Sequence, residues 1–323
     1  IIANNTVSSN NEDGICLWDS SNNIIENNNV SSNNGEGIYL KDSSSNTIAN
    51  NTISSNNENG IYFGAYLGES SKNIIANNII SSNNENGIFL KFSSNNIIAD
   101  NTVSSNNWDG IYLWSSGNNI IANNTVSSNN EDGIDLWDSS SNIIANNTVS
   151  SNNENGIDLW NSSNTIENNT ISSNNGDGIY LWDSSKNIIA NNTFYLNGMY
   201  VFNSYNNKVT NNTVNGKPLV YIENVNDYVV EDAGQVIAIN SNNITIKDLN
   251  LSYASVGIEF WNTSNSIIAN NTVSWNSWDG IELRYSSNNT IANNIASLNY
   301  YDGIYLEDSS NNILSLIHIS EPT

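Results

Sequence analysis

Asp135 and Asp158 occupy equivalent places in successive repeats of this sequence, where most other repeats carry an aromatic residue. On adjacent strands their Cβ atoms would lie roughly 5 Å apart. Three readings fit that spacing. Stacked carboxylates offer oxygens to Ca²⁺, which takes six to eight. Carboxyls ~5–5.5 Å apart also suit the acid and nucleophile of a retaining glycosidase. Or the two are solvated charges that repel. Beside them runs a second column, Trp114, Trp137, Trp160 and Trp182, while Tyr112 and Tyr180 continue the column of the aspartates; Asp132 and Asp138 flank it. Flat rings pack on sugar faces and carboxylates take hydroxyls. Tyr112, Trp114, Trp137, Trp160, Tyr180, Trp182, Asp132 and Asp138 are therefore the candidate face for a polysaccharide or cell-surface glycan. The same columns also read as cross-strand stacking, worth ~0.2–1 kcal/mol per pair, or as a surface for a protein partner.

These side chains are positioned by a repeat. The Gly of an N/D/E-G-I-x-L segment recurs at Gly14, Gly37, Gly60, Gly87, Gly110, Gly133, Gly156 and Gly178, mostly 23 residues apart, and again at Gly257, Gly280 and Gly303. Within Asn119 to Asp138 apolar residues alternate with polar ones, and Gly, Ser-Ser and Asn-Asn pairs punctuate them. The apolar set is β-branched, and no stretch has a helical period long enough for a helix. One unit is three short strands and three turns. The fold class is all-β, a single-stranded parallel β-helix with coils ~4.8 Å apart. About 14 coils would make a rod roughly 67 Å long at that spacing. Residues one and three after the Gly (Ile134, Leu136) point inward, and two and four (Asp135, Trp137) outward. By the same rule Glu259, Trp261 and Glu282 are expected outside.

The 74 Asn among 323 residues follow from the coil. An inward Asn bonds the amide of the next coil and turn backbone groups, and Asn tolerates left-handed corners. Residues 1–194 and 257–313 are regular repeats. Residues 195–256 are irregular coils expected to continue the rod, and Gly64–Gly68 is an inserted loop. The last ten residues, LSLIHISEPT, break the repeat at Leu314 and resemble a translated sequencing adapter.

Composition excludes several classes. The net charge is −24, so no basic patch exists to replace phosphate counterions, and nucleic acid is not a partner. One Cys excludes a disulfide framework and a CxxC zinc site. No apolar run is long enough to span a membrane as a helix. Arg284 is the only Arg and the seven Lys are scattered, which argues against a lyase base and against acidic sugars.

The N-x-I-x-x-N-x-V…G-I-x-L unit resembles the parallel β-helix repeat of carbohydrate-binding and sugar-hydrolase proteins. The segments NGKPLVYIEN (215–224), EDAGQVIAIN (231–240), NITIKDLNLS (243–252) and VGIEFWNTSNSIIANNTVS (256–274) resemble NosD-type proteins. The resemblance implies a right-handed solenoid, and a periplasmic or extracellular place. It also implies either a structural and adhesive surface role, or a part in copper-enzyme maturation, or polysaccharide hydrolysis or lysis. The residues themselves argue against copper: Cys16, Met199 and His318 are the only soft or imidazole donors and are far apart in sequence. No other cofactor is expected, with Ca²⁺ at Asp135 and Asp158 the open alternative.

Overall fold

The computed structural model describes residues 1–64 and 69–315 in full and 318–320 as backbone. Apart from Gly64, the expected inserted loop lies outside the described residues, as does the side chain of His318. Among the described residues every regular element is a strand.

Three walls build the first part of the chain. One has ten strands, from Ile2–Ala3 to Lys208–Thr210; the second begins with ten, from Thr6–Ser8 to Thr213–Val214; the third has nine, from Ile15–Trp18 to Met199–Phe202. Pairing along each wall is parallel and joins equivalent residues, such as Ile111 to Ile134 to Ile157. Ile, Val and Leu at the inward positions are buried along the axis.

The paired Asn divide two tasks between them. In the pair Asn146-Asn147, Asn146 turns the corner with φ 57° and stays exposed. Asn147 is buried: its Nδ2 donates to Asn169 Oδ1 (3.0 Å) and Ile121 O (2.9 Å), and its Oδ1 accepts from Asn124 N and Nδ2. Two further Asn columns and a Ser column repeat this pattern, satisfying backbone groups that leave the walls at each corner. The Gly before each Ile is required by close approach. A Cβ at Gly133 would stand 2.4 Å from Val149 Cγ1 and 2.6 Å from Gly156 O.

The rod does not continue unbroken through residues 195–256, which corrects the single-rod expectation. At Asn215-Gly216 the chain reverses, and Lys217–Glu223 pairs antiparallel with Thr213–Val214. From there a second stack grows, with walls from Lys217–Glu223 through Gln235–Ile239 to Ile304–Glu307, and from Asn226–Val230 to Ile313–Ser315. A short third wall runs from Thr272–Ser274 through Ile295–Ser297 to the backbone of His318–Ser320, which pairs in the coil register. Each stack has its own core. The outer face of the second stack also closes the open end of the first, because Ile237, Ile239, Ala254 and Trp261 are buried in the first stack's core. This is the terminal capping that a solenoid needs.

Candidate functional site

The expected aromatic face is formed, with a different presentation. Trp137 and Trp160 stack with centroids 4.9 Å apart, as do Trp160 and Trp182, and Phe202 follows Trp182 at 4.2 Å. Both faces of Trp160 and Trp182 are thus covered and only their edges reach solvent. Trp114 stands instead against Phe92 and under Lys91 Nζ (4.4 Å). Tyr112 ends a stack of Tyr39, Tyr62 and Phe89, and Tyr180 stacks on Tyr200. Asp135 and Asp158 pair between these two runs of rings, in the register Tyr112, Asp135, Asp158, Tyr180.

The two aspartates are half-buried, not freely solvated. Asp158 Oδ1 is shielded and unpartnered, and Asn155 Nδ2 approaches Oδ2 at 3.5 Å. Burial, then neighbouring Asp109, raises the Asp158 carboxyl to about 8; the same causes push Asp135 well above the carboxylate range. Asp132 is buried and belongs to a ladder along the corner. Its N donates to Asp109 Oδ1 (2.9 Å) and its Oδ1 accepts from Asn155 N (2.6 Å). Burial raises its carboxyl too, ahead of the nearby Asp158 charge. Asp132 is therefore withdrawn from ligand contact, a correction to its expected place. Asp138 is an exposed corner residue, φ 48°, bonded by Asn161 Nδ2. No group of three His, Cys, Asp or Glu among the described residues is arranged to hold a metal ion.

Glu259, Glu282 and Trp261, expected outside, are buried where the stacks meet. The last strand of the nine-stranded wall would leave its N–H groups unpaired. Gln235 Oε1 accepts from Met199 N (2.9 Å), and Glu259 Oε1 from Val201 N (3.3 Å) and Trp261 Nε1 (2.8 Å). Tyr200 OH donates to Glu282 Oε1 (3.1 Å), and Trp278 lies flat on Tyr200 at 5.2 Å. Arg284 pairs with both Glu282 and Glu307 and packs over Phe202, Trp261 and Tyr305. One oxygen of each of Asp177, Glu259 and Glu282 is buried without a partner.

Above this contact lies a cleft of about 450 Å³ between the stacks, lined by Asn153, Glu154, Asn155, Asn175 and Gly176 on one side and Ser277, Trp278, Tyr300 and Tyr301 on the other. Tyr300 and Tyr301 are 76% and 59% exposed; Tyr301 leans on Trp278 at 5.0 Å and meets Tyr300 edge to face, so the pair keeps more of its ring surface in solvent than Trp160 and Trp182 do. At Asn153 and Asn175 the cleft joins a groove of about 620 Å³ along the first stack. Repeat position alone did not single these rings out. For Tyr301 the signal is a substitution two residues before the Gly: Trp108, Trp278 and Tyr301 stand where Glu85, Glu131 and Glu154 stand elsewhere, and Tyr300 adjoins it.

The sequence matches the family described as right handed beta helix region over residues 1–65, 62–194 and 138–233. The chain belongs to that family. Residues 217–323 match the family described as periplasmic copper-binding protein (NosD). No curated protein matches the sequence. Among solved structures the β-helix is similar to the Dettilon tailspike protein (14% identity, TM-score 0.53), over 94% of this chain and 60% of that one. It is also similar to the enzymatically active domain of bacteriophage CBA120 tailspike protein 2 (15%, TM-score 0.51), over 83% and 43%. The chain spans less than two thirds of either tailspike, and the likeness is one of fold.

The copper description does not fit the donors described in this β-helix. Cys16 is exposed in the first strand of the nine-stranded wall and Met199 is buried in the last. A copper centre needs soft donors brought together.

Proposed function

We propose that this chain is a periplasmic or extracellular β-helix surface module that binds a neutral polysaccharide where its two stacks meet. The observation that carries the reading is the cleft, whose lining combines the exposed rings of Tyr300 and Tyr301 with the amides of Asn153 and Asn175. Rings supply flat apolar contact and amides supply both donors and acceptors, the combination a polyhydroxyl ligand requires. Glu154 in the cleft and the −24 net charge repel anionic polymers. The Trp137–Trp160–Trp182 stack, with both faces of Trp160 and Trp182 covered, serves chiefly to stiffen the wall beside the cleft. The periplasmic or extracellular setting is supported by the NosD match.

The test is titration with a panel of neutral polysaccharides, followed by Trp fluorescence and calorimetry. Binding that Tyr300→Ala plus Tyr301→Ala abolishes, with the melting curve unchanged, is expected. No binding across the panel refutes the reading. The NosD match over residues 217–323 favours a second reading, an accessory role in copper-enzyme maturation. Its test is copper-enzyme activity in cells lacking this gene; normal activity removes it.

A further inference from the structure

We propose that the site extends from the cleft along the Ser/Asn groove to Trp108, and that its ligand is a linear, uncharged glycan lying parallel to the axis of the first stack. This rests on the reading of the cleft as a glycan site. The groove crosses five coils and is lined only by Ser and Asn, among them Ser105, Ser128, Ser151, Asn107 and Asn130. Its exposed Asn amides make only long contacts with one another. Asn130 Nδ2 to Asn107 O is 3.4 Å and Asn153 Nδ2 to Asn130 O is 3.5 Å, which leaves bonding capacity for a ligand. The Ser at each corner is exposed, and a hydroxyl both donates and accepts. Each coil therefore presents one hydroxyl and one amide per ~4.8 Å step, an uncharged, periodic row.

The row carries an aromatic on its second coil and opens on two more at its far end. Trp108 follows Asn107 of the groove lining and is 42% exposed. It replaces the Glu found on the neighbouring coils: its N donates to Glu85 O and its O accepts from Glu131 N. Three coil steps away, ~14 Å, the groove reaches Asn175 and opens at Tyr300 and Tyr301. Two aromatic platforms joined by amides and hydroxyls suit an unbranched chain spanning several coils. Glu85, Glu131 and Glu154 border the row and disfavour anionic chains.

The experiment compares a disaccharide with the long linear polymer of the same sugar, on the intact protein, Trp108→Ala and Ser128→Tyr. The second variant blocks the groove at a corner that accepts large side chains: Tyr253 and Trp275 occupy the equivalent left-handed position with φ 61° and 60°. The expected result is about tenfold weaker polymer binding in both variants, with disaccharide binding and melting unchanged. Unchanged polymer binding in both variants, while Tyr300→Ala plus Tyr301→Ala still abolishes the disaccharide, overturns the groove and leaves the cleft standing. Equal losses for both ligands also overturn it. Failure of the intact protein to bind either ligand removes both readings.

Discussion

Replacing Asn147 by Ala tests whether the Asn columns hold the coil together or merely accompany it. The side chain makes four bonds: two given, to Asn169 Oδ1 and Ile121 O, and two received, from Asn124 N and Nδ2. Truncation strips Ile121 O and Asn124 N of these partners in a dry interior, at ~1–3 kcal/mol for each buried group. The expected loss is about 2–6 kcal/mol. The control is its neighbour. Asn146 is exposed with φ 57°, so Asn146→Ala forfeits only the preference for a left-handed corner, about 1 kcal/mol. Solenoids depart from two-state unfolding. The assay is therefore urea denaturation combined with hydrogen exchange at the Asn124 amide, which should lose protection in Asn147→Ala and keep it in Asn146→Ala. Equal midpoints for the two variants, with Asn124 still protected, would refute the reasoning.

Stability should fall as pH rises. Asp109 and Asp177 are raised to about 7, Asp158 to about 8 and Glu36 to about 9, in each case chiefly by burial, so the folded chain binds protons that the unfolded chain has lost. Their contribution is complete below about pH 4 and is lost through about pH 9; a melting temperature that climbs across that window contradicts this. Gly133→Ala forces a Cβ against Val149 and the Gly156 carbonyl and should cost about 1–3 kcal/mol, read from the urea midpoint. Arg284→Met leaves Glu282 buried without its cation and should cost about 3 kcal/mol at neutral pH, with recovery in Arg284→Met plus Glu282→Gln. Adding Ca²⁺ should leave the melting temperature unchanged, since Asp135 and Asp158 lack further carboxylate ligands; a rise that Asp135→Asn plus Asp158→Asn removes would restore the metal site.

The 23-residue period determined the coil, the inward Ile and Leu, the Asn columns and the stacked rings. Each follows from local alternation plus repetition, because a residue in a parallel in-register wall meets its own equivalent on the next coil. Periodicity also implied that residues two and four after the Gly face solvent, which holds only where nothing packs on the wall. Glu259, Glu282 and Trp261 obey the same alternation and are buried, because the antiparallel turn at Asn215-Gly216 sets a second stack against the open end of the first. Asp135 and Asp158 alternate with the inward Ile and Leu as expected, yet burial, and after it the charge of Asp109, favours the proton on both. The cleft joins Asn153 and Asn175 to Tyr300 and Tyr301, more than a hundred residues on. A repeat specifies what each coil meets above and below it; which coils meet across a break depends on how the two stacks dock, and that is a property of the tertiary structure alone.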